Sequence, residues 1–196
     1  MKVLAFNGSP RKDGNTAIML KEALSAIAEQ DIETELIHIK PMELKPCTGC
    51  NYCRTSGKAR CVQDDPLNDW LENIFTADGL LLGSPTYFFG MHPSLKCLID
   101  RVGYIVRGRI TKGERGKLFR KIGGAVAVDA SSGSPLVVQA IQSFFMITEM
   151  IVPGGIYWPI GKGSKPGDVH NDYAGLRNAR NLGENIGWLI KSIKNK

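Results

Sequence analysis

Along the chain, short unbroken apolar runs alternate with stretches whose apolar residues recur every three or four positions. The first run, KVLAF, is ended by Asn7-Gly8-Ser9-Pro10 and reads as a buried strand closed by loop formers. Ala17, Leu20, Leu24, Ile27 and Ala28 then fall at helical spacing, which predicts a helix from about Asn15 to Glu29. ETELIHI alternates as a strand does, and Lys40 to Pro66 follows with no clear period. LNDWLENIF reads as a short helix, and GLLLGSP as a buried strand cut by Gly-Ser-Pro. Pro93 can open the next helix, where its missing N–H costs nothing, with Leu95, Leu98, Ile99 and Val102 on one face. GGAVAVDAS, PLVVQAIQSFFMITEM and GGIYWP continue as strand, helix and a last strand. Leu176, Ala179, Leu182, Ile186, Ile190 and Ile193 mark a closing amphipathic helix.

Strands that are apolar throughout need cover on both faces, and helices placed between them supply it. The expected fold is therefore α/β: a doubly wound, five-stranded parallel sheet with helices on both sides. No repeat, low-complexity tract or linker divides residues 1–196, so one domain is expected, with a cysteine-rich loop at 40–66. Ligands of such sheets sit beyond the carboxyl ends of the strands. That directs attention to residues 7–16, 40–66, 84–93 and 129–135.

Composition narrows this little: 43% hydrophobic and 22% charged residues are ordinary for a globular chain. No stretch approaches the ~20 apolar residues of a membrane span. MKVLAFNGSPRKDG lacks the apolar run and cleavage site of a secretory signal, so a cytoplasmic protein with reduced thiols is expected. The net charge of +6 is uneven. Arg101, Arg107, Arg109, Lys112, Arg115, Lys117, Arg120 and Lys121 form a basic block opposed within its span only by Glu114. It reads as a solvated surface, a seat for an anionic cofactor or a subunit contact. No recognition-helix or RNP-type pattern points to nucleic acid.

NGSPRKDGNT joins the first strand to the first helix. Its glycines, the short polar groups of Ser9, Asn15 and Thr16, and the forked cation of Arg11 suit a phosphate at a helix N-terminus. A well-capped polar turn is the plainer reading. Neither a Walker A nor a G-x-G-x-x-G pattern is present, so a mononucleotide phosphate fits better. Pro85, Thr86, Tyr87, Phe88 and Phe89 offer flat apolar faces and backbone donors to a planar heterocycle, or else simply pack.

Together GSPRKDGNT and GSPTYFFGMHPSLKCLIDR resemble the flavodoxin-like NADPH-dependent FMN reductase family, and the cysteine loop between them resembles its iron–sulfur flavoprotein branch. The resemblance implies FMN, with its phosphate on Ser9, Arg11, Asn15 and Thr16 and its ring against Pro85, Thr86, Tyr87 and Phe88. It places a third loop, here DASSGSP with Ala130 and Ser131, beside the ring. Many relatives have paired glycines there, where this chain has Ser131, Ser132 and Gly133. The resemblance also implies a homodimer or homotetramer.

Cys47, Cys50, Cys53 and Cys61 read C-x2-C-x2-C-x7-C. Two short gaps let three thiolates converge from one tight turn, which suits a compact [4Fe–4S] cubane and resembles the bacterial ferredoxin pattern. Zinc, and a disulfide or free-thiol loop, remain alternatives. Cys97 reads as a buried or interface thiol, and His38, His92 and His170 form no metal spacing. No acid–base catalytic set is evident, as befits an oxidoreductase whose flavin carries the chemistry. Three classes stay open: an electron-transfer flavoprotein served by a ferredoxin-like partner, an NAD(P)H-dependent reductase with a structural cysteine loop, and a non-enzymatic zinc or redox-sensing module.

Overall fold

The computed structural model describes residues 1–194. Its parallel strands are β1 (Lys2–Asn7), β2 (Glu33–His38), β3 (Gly79–Tyr87), β5 (Ile122–Asp129) and β6 (Ile160–Lys162), in the order β2-β1-β3-β5-β6. A two-residue strand β4 (Gly90–Met91) pairs antiparallel with the end of β3 and makes the sheet six-stranded rather than five-stranded. The helices are α1 (Asn15–Ala28), α2 (Tyr52–Thr55), α3 (Leu67–Thr76), α4 (Pro93–Ile110), α5 (Ser134–Ile147) and α6 (Tyr173–Lys194). Among the described residues no helix is long and apolar enough to cross a membrane.

Alternation along the strands divides the core into two. Leu4, Phe6, Leu80, Leu82, Ala125 and Ala127 face α3, α4 and α5, whereas Val3, Ala5, Leu81, Val126 and Val128 face α1 and α6. Successive strand side chains point to opposite faces, so a strand covered on both sides must be apolar at every position. This is why VLAF and GLLL carry no polar residue.

Two strand boundaries differ from the expectation. β3 is not cut at Gly83-Ser84-Pro85. Its pairing with β1 ends at Gly83, but pairing with β5 continues to Pro85. Past Gly83 the strand has one parallel neighbour, and a proline is tolerated in such edge-like positions. GGIYWP is not the last strand either. Pro153 and Pro159 lack an N–H and Gly154-Gly155 brings no side chain to the sheet. The ladder along β5 therefore stops after the Ile122–Ile151 bridge and resumes at Ala127–Ile160. Ile156, Tyr157 and Trp158 stand exposed in the interval.

Where α6 crosses α1, Gly183 lies directly on the chain of α1: a Cβ there would overlap the Ala23 carbonyl. Backbone cannot rotate away as a side chain can, so Gly183→Ala must part the two helices. The expected loss is about 1–3 kcal/mol, seen as a lower denaturant midpoint with an unchanged slope.

Candidate functional site

At the carboxyl end of the sheet, β1 leads back toward β2 while β3 lies on its other side, and the loops after these strands diverge around a crevice. The loop after β1 is shaped by Asn7, fully buried. Its amide donates to the carbonyls of Arg11 (3.4 Å) and Lys12 (3.0 Å), and its carbonyl oxygen accepts the Ser9 N–H at 3.0 Å. Gly8 makes the closest approach: its N–H donates to the Gly83 carbonyl at 2.8 Å, and a Cβ on it would stand 2.6 Å from Leu95 Cβ. α1 begins after Gly14 with no side-chain cap and no acidic residue in its first turn. Free N–H groups and the positive helix end thus face the crevice, which is the arrangement that binds phosphate.

A pocket of about 300 Å³ lies there, lined by Ser9, Arg11, Asn15 and Thr16, by Pro85, Thr86 and Tyr87, and by Ala130. Phe88 and Ser131 are not in its wall. Asn15 touches the pocket, but its amide is engaged elsewhere. It donates to the Lys165 carbonyl at 2.8 Å and accepts the Gly167 N–H at 2.8 Å. Gly163 and Ser164, which follow β6, complete the wall, and Arg11 Nη1 donates to the Ser164 carbonyl at 3.3 Å. This fourth segment was not visible in the sequence. The one hint was glycine density at 161–167 next to the final strand.

The aromatic segment is a hairpin in which Thr86 pairs with Met91 and Tyr87 with Gly90. Its two turn residues, Phe88 and Phe89, have φ of 47° and 65°. A two-residue turn matching strand twist requires positive φ at both positions, usually from Asn-Gly. Phe88 is fully exposed, so its packing does not repay that strain. Phe88→Asn is expected to raise stability by about 1 kcal/mol, a gain in melting temperature of about 2–4 °C for a chain of this size. His92 anchors the hairpin: its N–H donates to Ser84 Oγ at 2.8 Å and its Nδ1 accepts the Ser94 N–H at the start of α4. Burial holds its pKa below the ordinary value despite the nearby Gly8 carbonyl, so it is a neutral brace.

The third loop, 129–133, is closed by Asp129. This buried carboxylate accepts the Ser134 N–H at 2.9 Å and pairs with Lys162. Burial pushes its pKa up, but Lys162 and Ser134 outweigh that and hold it below the ordinary range. A second hollow, about 330 Å³, lies at the β5–β6 edge among Val152, Pro153, Tyr157 and Trp158. It holds no charged side chain, whereas the crevice pocket collects the cation and the helix end.

The cysteine loop packs on α4. Cys47, Cys50, Cys53 and Cys61 line one small hollow of about 20 Å³, floored by Arg101, Tyr104 and Ile105. Left-handed Gly49 and Asn51 fold the C-x2-C-x2-C turn, and α2 carries Cys53. All five cysteines are free thiols. Burial first, then the neighbouring Cys61, Cys47 and Cys50, push the Cys53 thiol up. Among the described residues no three His, Cys, Asp or Glu side chains converge tightly enough for a single metal ion. The donor set fits a cluster by its chemistry, four soft thiols around one hollow. Residues 46–51 belong to no helix or strand.

The basic block does not form one surface. Arg101 is buried against Asp65, Arg109 pairs with Glu114 at 2.8 Å, and burial lowers the pKa of Lys121, which donates to the Ala77 carbonyl.

Comparison with known proteins agrees with this arrangement. A similar protein, an iron-sulfur flavoprotein of Methanocaldococcus jannaschii, is 44% identical over 201 residues, covering 99% of this chain and 100% of its own. The structure of RosB with a bound 8-demethyl-8-formylriboflavin-5′-phosphate intermediate aligns over 100% of this chain and 81% of its own, with a TM-score of 0.79 at 17% identity. An archaeal flavodoxin aligns over 97% and 99%, with a TM-score of 0.62 at 17% identity. The family model for NADPH-dependent FMN reductase matches residues 1–165. With curated homologues named as iron-sulfur flavoproteins, the chain belongs to the NADPH-dependent FMN reductase family, a flavodoxin-like group of oxidoreductases that use FMN.

Proposed function

We propose that this FMN-dependent redox protein passes electrons between FMN in the crevice pocket and a [4Fe–4S] cluster held by Cys47, Cys50, Cys53 and Cys61. When bound, FMN supplies hydride or single-electron transfer and the cluster supplies single-electron transfer. Ser9, Arg11, Thr16 and the first N–H groups of α1 hold the phosphate. Asn15 acts one step back, fastening the 163–167 segment to the start of α1. Pro85, Thr86, Tyr87 and Ala130 would hold the ring, while Phe88, at the hairpin tip, and Ser131 lie outside the pocket wall. The observation that carries the reading is that four cysteines distributed over Cys47–Cys61 wall one hollow floored by α4.

A small ferredoxin-like protein fits as electron partner. NAD(P)H as donor, with the cysteine loop structural, is the second reading, favoured by the NADPH-dependent family match. A homodimer or homotetramer is expected, and the exposed Tyr157 and Trp158 are suited to a subunit contact. Anaerobically purified protein should show flavin absorption over a broad iron–sulfur shoulder, with about four iron atoms per chain. Flavin without iron or sulfide would sink the cluster reading and leave the reductase. Arg11→Ala should weaken FMN binding at least tenfold, since a hydrogen bond to a charged group contributes about 1.5–3 kcal/mol. Flavin fluorescence titration measures this.

A further inference from the structure

Arg101 is among the largest fully buried side chains, although guanidinium groups normally stay in water. It reaches from α4 under the cysteine loop. Its Nη2 donates to Asp65 Oδ1 at 2.9 Å, and its Nη1 to Asp65 Oδ2 and to the Lys45 carbonyl at 3.2 Å. These bonds use the outer fork only. The Nε–H is buried with no hydrogen-bond partner, and the same side chain forms part of the wall around the four cysteines. An orphaned buried donor is costly, so a site that keeps one is built for an acceptor that comes into reach when the site is filled.

Among the acceptors on the wall of the same hollow are the four cysteine sulfurs. Burial disfavours the charged form of Arg101, and the Asp65 and then the Cys61 side chain outweigh it. The main chain of Cys61 is held still, its N–H donating to Asn68 Oδ1 at 3.0 Å and its carbonyl accepting from Asn68 Nδ2 at 3.3 Å. We infer that Arg101 is a positioning residue for the cluster: it donates an N–H to the sulfur at Cys61 and thereby holds the cluster's reduction potential up. This rests on the cluster reading above. Asp65 already offsets the positive charge, so what Arg101 adds is a directed N–H. Hydrogen bonds to the sulfurs are among the factors that set cluster potentials. The guanidinium keeps its proton throughout, so one electron enters or leaves the cluster and no proton moves at Arg101.

Two variants of the whole holoprotein test this. Arg101→Lys keeps the charge and loses the planar fork. The double variant Arg101→Met with Asp65→Asn removes one positive and one negative charge together, so a field effect alone predicts almost no shift. Iron and sulfide are counted first, the fold is checked by circular dichroism, and the cluster potential is read by EPR-monitored titration. The flavin potential serves as internal control, because the two pockets share no lining residue. The expected result is a more negative cluster potential in both variants, by at least tenfold in the one-electron equilibrium constant, about 59 mV, with the flavin unmoved. A folded variant that no longer retains iron points to a tie between α4 and the loop and overturns the inference. Full iron with an unshifted potential in both variants overturns it and leaves Arg101 a tie between α4 and the loop. Wild-type protein without iron or sulfide overturns the cluster reading, and this inference with it, and is told apart from the previous outcome at the first measurement.

Discussion

Asp65→Ala is expected to destabilise the protein by about 3–5 kcal/mol, the range for breaking a buried ion pair by removing one partner. Arg101 and Asp65 are 1% and 4% exposed in their side chains, so neither charge can turn to water when the other is lost. Asp65 also accepts the N–H groups of Lys45 (3.1 Å) and Leu67 (3.3 Å), which closes the cysteine loop at its base. A chain of this size loses about 2–4 °C per kcal/mol, so the melting temperature should fall by about 6–20 °C. The wild-type protein should show the matching pH dependence. Burial alone would raise the pKa of Asp65, but Arg101 and the two N–H groups bring it below the ordinary value of 3.8. A carboxylate depressed by folding stabilises the fold above its unfolded pKa, and that contribution disappears as pH falls through the folded value. The gap between wild type and Asp65→Ala should therefore be widest near neutral pH and narrow below about pH 3.8. A gap that stays constant down to pH 2 would show that the carboxylate is not the source of the stability.

Cys53→Ser has the largest expected functional effect. Cys53 is half-buried, sits on α2 and packs against the core beneath the loop. Serine offers a harder ligand with a far higher pKa, so iron should drop from about four atoms per chain to below one. FMN content should stay near one per chain, because no residue lines both pockets. The variant separates the two functional readings. If one-electron transfer to a ferredoxin-like partner vanishes while hydride transfer from NAD(P)H persists, the cluster is the relay. If neither activity changes, the cysteine loop is structural.

Much of this site was legible because it depends on residues close together in the chain. The turn from KVLAF into α1, the four-cysteine spacing and the aromatic loop are each local, and periodicity with loop chemistry reveals such features, although the hairpin that the loop forms was not read. The parallel fold was legible too, since strands buried on both faces must be apolar at every position. The missing parts depend on contacts across the sequence. Gly163 and Ser164 join a pocket built by Ser9 and Arg11, with Arg11 and Ser164 separated by 153 positions. Asn15 has the right chemistry for a phosphate, yet the segment 152 positions away at Gly167 occupies its amide. Arg101 looked like one member of a basic block until α4 turned it inward to Asp65, 36 residues earlier.

The sequence by itself determined the long helices, the first four parallel strands and their order along the chain, though not α2, β4 or the place of the last strand, because strand and helix periods are written residue by residue in the pattern of apolar side chains. Only the tertiary structure decided which polar groups are consumed within the protein and which remain free to meet a cofactor. A buried donor or acceptor takes whatever partner folding brings within about 3 Å, and that partner is as often distant in the chain as near.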